Sequence, residues 1–346
     1  MAYPAPTCLL IGVFLTLVTG IRDYSLYATS GRRIYVKAGG GALTEEVVMF
    51  RVRAVAMTLA LVGLSAGTIT AAAGAAGATA PVVPTLIQVS AEHHAGQDSL
   101  VFQFRGGVPA RYSARYVSQV TADPSGLPVN VVGSALLQVT FSAATGHNAQ
   151  GVVTYGPAQR TYPLRELIQV VKAGDFESVL SFGVGVAQKA PFHMYAQPKL
   201  GRVVLDIKAP YRTVPVKDYF LNTHLFAIGR APFTEAVYRP VIPPATAFGA
   251  MQRLFAGPTQ AEQARGLKFV SSGAVGFKIL SIRDGVARIQ LTGELSSGGS
   301  TFTIANEIMP TLKQLPSVHW VKIYDRNGHT ERPFGHSDSI PFSLEP

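Results

Sequence analysis

The sequence predicts a multidomain fold: an all-β sandwich followed by an α+β domain, in which two helices pack on an antiparallel or mixed sheet. Its 346 residues leave room for two folded units beside a targeting segment. Hydrophobic residues make up 47% of the chain and charged residues 14%, which is enough apolar surface for real cores. The third observation is a change near residue 217, where alternating runs give way to strands interrupted by helical spacing.

Residues 49–80 have the pattern of a secretory signal peptide. They read MFRVRAVAMTLALVGLSAGTITAAAGAAGATA, with two arginines ahead of an uncharged apolar run and Ala78-Thr79-Ala80 before Pro81. Small residues at the first and third positions before the cut fit the signal peptidase. We therefore expect cleavage after Ala80 and an extracytoplasmic protein, secreted or associated with the cell wall, or membrane-anchored if the segment is retained.

Residues 1–48 leave two alternatives open. They contain a second apolar run at 7–21, which at about 15 residues is short for a membrane span of about 20. Either translation starts at Met49 and the upstream part is an over-extended reading frame, or both runs cross the membrane as a hairpin. The hairpin would keep the basic residues between the runs inside. Both alternatives place residues 81–346 outside the membrane.

The exported part is basic and has no cysteine. Of the 30 basic and 20 acidic residues, six basic and three acidic residues precede Pro81, and the only cysteine is Cys8. Disulfides, thiolate nucleophiles and cysteine metal ligands are therefore excluded after Pro81. A basic exported protein meets anionic wall polymers rather than chromosomal nucleic acid, so we expect peptidoglycan or an anionic wall polymer as partner and no nucleic acid. The alternative is that scattered charges only keep the protein soluble.

We predict a linker at 81–97, rich in proline, alanine and small polar residues, and a β domain at 98–209. The β domain consists of short alternating runs bounded by glycine and proline. These runs are SLVFQFR, RYSARYV, LLQVTF, LIQVV, SVLSFGVGV, PFHMYA and GRVVLDI. Together with the stretch FSAATGH, they resemble the AMIN-like domain of secreted bacterial proteins. The resemblance implies a β-sandwich that targets envelope proteins to peptidoglycan, although Asn148 stands where the family often has an acidic residue.

A joint at 210–216 precedes a predicted α+β domain at 217–328. Apolar residues recur at helical spacing in two stretches: Phe248, Met251, Leu254 and Phe255, then Ile304, Ile308, Leu312 and Leu315. Thr259 and Glu262 have the spacing of a capping box, and Asp284-Gly285 predicts a tight hairpin. The prolines of the joint predict two domains that fold independently.

The most specific blocks of this second domain are LFAGPTQAEQARGL and DGVARIQL. With YFLNTH and GGSTFTIANEIMPTLKQLPSVHWVKIY, they resemble the GerMN domain, the sporulation and germination module. The resemblance implies a domain outside the membrane that acts in envelope assemblies without a recognised catalytic residue. Residues 329–346 are predicted to be a flexible tail.

No catalytic motif is supported by its context. The pattern Gly63-Leu64-Ser65-Ala66-Gly67 lies within the signal peptide and has no strand before it. Gly183-Val184-Gly185 lacks the third glycine of a dinucleotide loop and lies among strands, so a bulge or turn is predicted there. The histidine pairs of the chain lie in extended or tail segments. We therefore predict no enzymatic activity, no cofactor and no metal site.

Arg111, Arg115 and His147 are the predicted ligand-binding residues. In the run RYSARYV the two arginines share one face and Tyr112 and Tyr116 the other. Guanidiniums about 13–14 Å apart along a strand suit the carboxylates or phosphates of a repeating polymer. The alternative is a solvated strand face over a tyrosine core. His147 lies in a glycine-containing loop, where the alternative is a histidine that bonds the backbone.

From these features we expect a secreted, non-enzymatic adaptor that binds the cell envelope through peptidoglycan or a wall polymer. Two alternatives stay open. An assembly partner of an extracytoplasmic membrane complex would crosslink to one stoichiometric protein. A cell-wall hydrolase would release muropeptides from purified walls.

Overall fold

A computed structural model of the chain describes residues 24–28, 34–38 and 82–346. The chain divides into two compact units, residues 1–75 and 76–346. The described part of the first unit is an antiparallel pair of strands, β1 Tyr24–Ala28 and β2 Ile34–Ala38.

The apolar runs at 7–21 and 49–80 lie outside the described residues, so the signal peptide and its cleavage remain predictions. Among the residues that are described, no helix combines the length and the hydrophobicity needed to cross a membrane. The described structure is mostly β-sheet with few helices.

The first part of the second unit is a β-sandwich. Its strands are β3 Thr85–His94, β4 Gln97–Arg105, β5 Arg111–Val117, β6 Val120–Thr121, β7 Pro128–Val129, β8 Ala135–Ser142, β9 Gln159–Thr161, β10 Leu167–Phe176, β11 Val179–Val186, β12 Phe192–Gln197 and β13 Arg202–Lys208. One sheet has the order β5-β8-β11-β10-β9 and the other β12-β13-β4-β3, and all neighbours within them are antiparallel. Strands β6 and β7 form a separate small pair.

The two sheets share one apolar core. Phe102 of the four-stranded sheet lies 4.8 Å from Phe141 and 5.3 Å from Phe182 of the five-stranded sheet, measured between ring centroids. All three rings are fully buried, and each such burial stabilises the fold by about 1.5–3 kcal/mol. The predicted inward alternation of β4 is observed, because Leu100, Phe102 and Phe104 are all buried.

The predicted linker at 81–97 is wrong over most of its length. Residues 85–94 form β3, which pairs with β4 from Thr85 opposite Arg105 to His94 opposite Gln97. A register shift near Gln88 breaks the simple alternation of apolar and polar residues in this strand. The sequence pattern therefore looks less strand-like than the structure is.

The second part of this unit combines two three-stranded sheets with four helices. Its strands are β14 Val214–Asn222, β15 Thr234–Val241, β16 Leu267–Lys268, β17 Ala274–Arg283, β18 Val286–Gly293 and β19 Trp320–Tyr324. Its helices are α1 Thr223–Ala227, α2 Thr246–Ala256, α3 Gln260–Ala264 and α4 Ala305–Lys313. The sheets have the orders β15-β14-β16 and β17-β18-β19, with β18 and β19 parallel. The expected single sheet is therefore divided in two.

Local signals in this part behave as predicted. Helix α2 ends at Gly257, whose φ of 82° a residue with a side chain rarely adopts. The capping box at α3 is complete, because Thr259 and Glu262 bond each other's backbone N–H. Asp284 and Gly285 both have positive φ and close the hairpin between β17 and β18.

The predicted flexible tail is instead packed onto β19. Ser339 exchanges backbone hydrogen bonds with Val321 and Ile323. Lys322 is fully buried, and its ammonium donates to the carbonyl of Phe334 at 3.1 Å and to a further carbonyl and a hydroxyl of the same loop. A buried ammonium needs acceptors, and the tail supplies them.

The two parts of the second unit are joined through α2. Arg253 is 2% exposed, and its Nη1 donates to the carbonyls of Tyr162 and Leu167 at 3.1 and 3.2 Å. Its Nη2 donates to the Arg165 carbonyl at 3.0 Å. The structure thus differs from the expectation of two separate domains, since a guanidinium from the second part is buried against a loop of the first.

Charged side chains surround this joint. Arg239 and Glu262 form a two-point ion pair at 2.8 and 2.5 Å. Burial raises the pKa of Asp218 well above its usual range, although the guanidiniums of Arg239 and Arg253 oppose the shift. Burial also lowers the pKa of Arg253 to about 10, so this residue is still protonated at neutral pH.

Glu307 connects α4 to two neighbouring segments from inside the core. Its carboxylate accepts the backbone N–H of Leu221 at 3.0 Å and that of Val270 at 3.1 Å. The residue is fully buried, and this desolvation raises its pKa to about 8. The fold therefore favours a protonated carboxyl at a position where the unfolded chain would be ionised at neutral pH.

Candidate functional site

The two predicted arginines lie on β5, an edge strand of the five-stranded sheet. Arg111 and Arg115 are exposed, whereas Tyr112 and Tyr116 pack against the sandwich core. The Tyr116 hydroxyl donates to the Ala190 carbonyl at 2.6 Å, and burial raises the pKa of this phenol. The observed alternation agrees with the sequence pattern, and the tyrosines anchor the strand that presents the arginines.

Residues 120–132, which include β6 and β7, cover part of the outer face of this sheet. The segment lies so close to β11 that a Cβ added to Gly185 would stand 1.9 Å from the Val132 carbonyl oxygen. Residues 183–185 pair continuously with β8, and the bulge near them is in the neighbouring strand β10. The expectation of a bulge or turn at these glycines is therefore corrected: they allow another segment to approach closely.

The two arginines differ in how close they lie to residues 120–132. Arg115 lies opposite Gln138, whose side chain bonds the backbone N–H and carbonyl of Thr121 in that segment. Arg111 lies opposite Ser142, at the end of β8. Arg111 is therefore at the end of the sheet where β8 continues into the next loop, and Arg115 lies beside the covered region.

His147 lies in that loop, close to the hairpin that joins β10 to β11. The hairpin turns through Glu177 and Ser178, whose φ angles of 47° and 60° are typical of a two-residue type I′ turn. It places Asp175, near the end of β10, beside the imidazole. The distance from His147 Nδ1 to Asp175 Oδ2 is 2.8 Å.

The geometry of this pair orients the imidazole. Asp175 has a side chain only 2% exposed, and the backbone N–H of Gly146 donates to its Oδ2 at 3.2 Å. Because a carboxylate only accepts hydrogen bonds, Nδ1 of His147 carries a proton. The Thr145 hydroxyl lies 2.9 Å from the same nitrogen. His147 therefore bonds side chains rather than the backbone, which was the expected alternative.

Gly146 is required by the packing beneath the pair. A Cβ at this position would stand 2.6 Å from the Tyr155 ring and 3.1 Å from the Asp175 carboxylate. Tyr155 is buried, and this burial together with the Asp175 charge raises its pKa to about 12. The loop can therefore approach the carboxylate only because residue 146 lacks a side chain.

An open cleft of about 590 Å³ lies beside His147. Ten residues line it: Val83, Thr85, Thr145, His147, Asn148, Ala149, Asp175, Phe176, Glu177 and Ser178. The His147 side chain is 42% exposed, and Phe176 is 47% exposed although it is large and apolar. The cleft thus combines hydroxyl groups and two carboxylates with a half-exposed imidazole and an aromatic surface.

Asn148, the departure from the family pattern, has a structural role. Its Oδ1 accepts the backbone N–H of Gln150 at 3.0 Å and of Val152 at 2.9 Å. This closes a local turn, a common use of asparagine. The amide oxygen is therefore engaged, and only the amide nitrogen is left to meet a ligand in the cleft.

Sequence reasoning identified His147 but not Asp175, Thr145 or Phe176. Asp175 is 28 positions away from His147 along the chain, and their contact depends on how the loop folds back on the sheet. The only available signal was an acidic residue next to a predicted strand end, which is common on exposed hairpins. Arg111 and His147 are brought to the same end of the sandwich, whereas Arg115 is not.

A protein-family model described as AMIN-like domain matches residues 84–209, so an AMIN-like domain is found in this part of the chain. The match begins where β3 begins, which agrees with the structure rather than with the predicted boundary at 98. AMIN-like domains are usually associated with peptidoglycan or envelope-related binding. Neither a curated protein nor a solved structure matches the chain.

Proposed function

We propose that this chain is an extracytoplasmic, non-enzymatic adaptor whose AMIN-like domain binds peptidoglycan or another wall polymer. The observation that carries the proposal is the His147 cleft, a polar and aromatic site of suitable size at one end of an AMIN-like domain. The exposed arginine at the same end of the sheet, Arg111, adds a positive charge to that end of the domain. The signal-peptide pattern at 49–80 supports export.

A binding role is favoured over hydrolysis by the hydrogen bonds of His147. In a serine-type triad the nucleophile and the carboxylate bond opposite nitrogens of the imidazole. Here the Thr145 hydroxyl and the Asp175 carboxylate both lie within 3 Å of Nδ1, at 2.9 and 2.8 Å. The threonine is therefore poorly placed to lose its proton to this base, and we propose no catalytic residue.

We also propose that residues 217–328 are a GerMN domain. The blocks LFAGPTQAEQARGL and DGVARIQL support it. In the structure the first block spans the end of α2 and all of α3, and the second forms the start of β18 after its hairpin. As a GerMN domain, this part would contribute to an envelope assembly rather than to polymer binding.

One observation supports the alternative role of an assembly partner. Phe226 on α1 and Ile228 immediately after it are 40% and 56% exposed. Exposed apolar side chains that lie close together often mark protein contacts. On this alternative the AMIN-like domain positions the chain at the wall, and the region around α1 binds the partner protein.

Binding to purified sacculi tests the main proposal. Full-length protein in mild detergent should sediment with sacculi, and His147→Ala should reduce the bound fraction when binding is normalised to the folded fraction of each protein. Muropeptide release by the wild-type protein would instead support a hydrolase. Absence of binding, together with crosslinking to a single protein in the envelope, would replace the proposal by the assembly role. N-terminal sequencing of protein from the envelope should find Pro81.

A further inference from the structure

We infer that the His147 cleft binds a neutral, hydroxyl-rich saccharide, and therefore recognises the glycan strand of the wall rather than its peptide carboxylates or phosphates. The inference rests on the proposed function, because it names the part of the polymer that the same site would bind. It also differs from the sequence-based expectation that paired arginines select anionic groups.

The charges of the cleft disfavour an anion. Among the described residues that line it, the charged side chains are the carboxylates Asp175 and Glu177, with no lysine or arginine. Lys172 lies nearby, with its ammonium 3.9 Å from Asp175 Oδ2. An anionic ligand would therefore find no lysine or arginine side chain among the lining residues to pair with its charge.

The same carboxylates do not make the cleft a cation site. Asp175 is buried and already accepts from Nδ1 of His147 and from the backbone N–H of Gly146. Its charge is thus compensated from within the protein. Glu177 is exposed on the turn, where solvent screens it. The groups best placed to meet a ligand are neutral.

The neutral groups of the cleft match sugar hydroxyls. Because Nδ1 of His147 is engaged by the Asp175 carboxylate, Nε2 is the ring nitrogen left to meet a ligand. Among the described residues, its hydrogen-bonding neighbour is Thr145 Oγ1, at a long 3.4 Å. The hydroxyls of Thr85, Thr145 and Ser178 both donate and accept. Sugar hydroxyls also do both, so each can find a partner here.

Phe176 supplies the apolar surface that a saccharide needs. Its side chain lines the cleft at the end of β10 and is half-exposed, so the ring is accessible to a ligand in the cleft. The negatively polarised face of an aromatic ring attracts C–H groups such as those on one side of a pyranose ring. The cleft therefore offers stacking on one side and hydrogen bonds on the other.

Arg111 is outside this arrangement, because it does not line the cleft. It lies at the same end of the sheet and is exposed, so it is available to anionic groups that branch from a bound glycan. On this reading the arginine adds salt-dependent affinity for the whole polymer. Recognition of the sugar itself should be nearly independent of salt.

The test is calorimetric titration of the full-length protein with N-acetylglucosamine tetramer, a neutral saccharide, and with a stem peptide that carries free carboxylates. We expect the tetramer to bind with similar affinity at low and high salt, and to compete with sacculi. Phe176→Ser should weaken tetramer binding about tenfold, equivalent to about 1.4 kcal/mol. The matched control is Phe342→Ser, since Phe342 is a phenylalanine that is 70% exposed and far along the chain.

Asp175 is a positioning residue, and its test needs a readout beyond stability. In Asp175→Asn the imidazole loses the carboxylate that favours a proton at Nδ1, so the ring nitrogen signals in ¹⁵N NMR should change and tetramer affinity should fall. A purely structural role would lower the melting temperature and leave the ring nitrogens of the folded protein unchanged. Phe176 lies at the exposed end of β10, so Phe176→Ser keeps the test decisive if Asp175→Asn does not fold.

The outcomes separate the two proposals. If sacculi bind but the stem peptide competes and the tetramer does not, the saccharide inference is overturned while the envelope-binding proposal stands. If the tetramer binds through Phe176 but sacculi do not, the saccharide site stands and the wall is not its target. If neither binds, both proposals fail.

Discussion

Arg253→Met tests the joint between the two parts of the 76–346 unit. Methionine fills a similar volume without a charge or a donor, so the substitution removes the guanidinium and leaves the packing largely in place. Three carbonyls lose their charged donor: that of Leu167, which is buried, and those of Tyr162 and Arg165, which are partly buried. Asp218 also loses one of the two guanidiniums that oppose its desolvation.

The expected loss of unfolding free energy is a large fraction of the stability of a typical protein. Leaving a buried hydrogen-bonding group without its partner costs about 1–3 kcal/mol, and Arg253 serves three carbonyls. Globular proteins unfold with a free energy of about 5–15 kcal/mol, so the loss is a major fraction of the total. Because the lost bonds cross between α2 and the loop at 162–167, the two parts should also become able to unfold separately.

Urea denaturation followed by circular dichroism measures this effect. Arg265→Met is the matched control, because its side chain is 60% exposed and only 3.6 Å from Glu235 in a surface ion pair. That control should change the free energy of unfolding by no more than about 0.5 kcal/mol. Limited proteolysis should cleave the Arg253 variant at residues 210–216 faster than the wild type. If both variants unfold alike, in one transition, the proposed joint is wrong.

Three further predictions concern pH, charge and packing. The pKa of Glu307 rises from 4.5 to about 8 on folding, so its stabilising contribution is complete below about pH 4.5 and is lost as pH rises to about 8. The melting temperature of the wild type should therefore fall between pH 5 and pH 8.5, and Glu307→Gln should flatten that fall. Changing Arg111 and Arg115 together to alanine should lower sacculus binding at low salt several-fold and leave the melting temperature unchanged, because each exposed contact contributes about 1 kcal/mol or less. Equal, salt-independent binding by the wild type and the double variant would show that these arginines are not part of the site. Gly185→Ala should lower the free energy of unfolding by about 1–3 kcal/mol and with it the melting temperature, since the added Cβ would collide with the Val132 carbonyl. An unchanged melting temperature would show that residues 120–132 do not lie on this strand.

Signals that depend on neighbours a few residues apart were readable from the sequence. The capping box of Thr259 and Glu262, the end of α2 at Gly257 and the alternation along β5 are all present in the structure. Each follows from local geometry: backbone donors at a helix start, the φ angle at a helix end, and the two faces of a strand. These patterns hold whatever the rest of the chain does.

Features that depend on distant residues were missed. The pairing of β3 needs β4 to fix its register through the shift near Gln88, and the tail is ordered by acceptors for Lys322. The orientation of His147 needs Asp175 from another strand. No spacing in the sequence reports such contacts, because they arise only when the sheet and its loops are assembled.

The buried ammonium of Lys322 has a practical consequence for how this protein is divided into fragments. A fragment that ends at residue 328, where the resemblance to a known domain ends, would keep the lysine in β19 but lose the carbonyl of Phe334 and the other oxygens that solvate it. The charge would then open the edge of β19 to water or be neutralised. Residues 329–346 therefore belong to the folded domain, and weak stability in a shortened fragment would reflect the chosen end point rather than the domain itself.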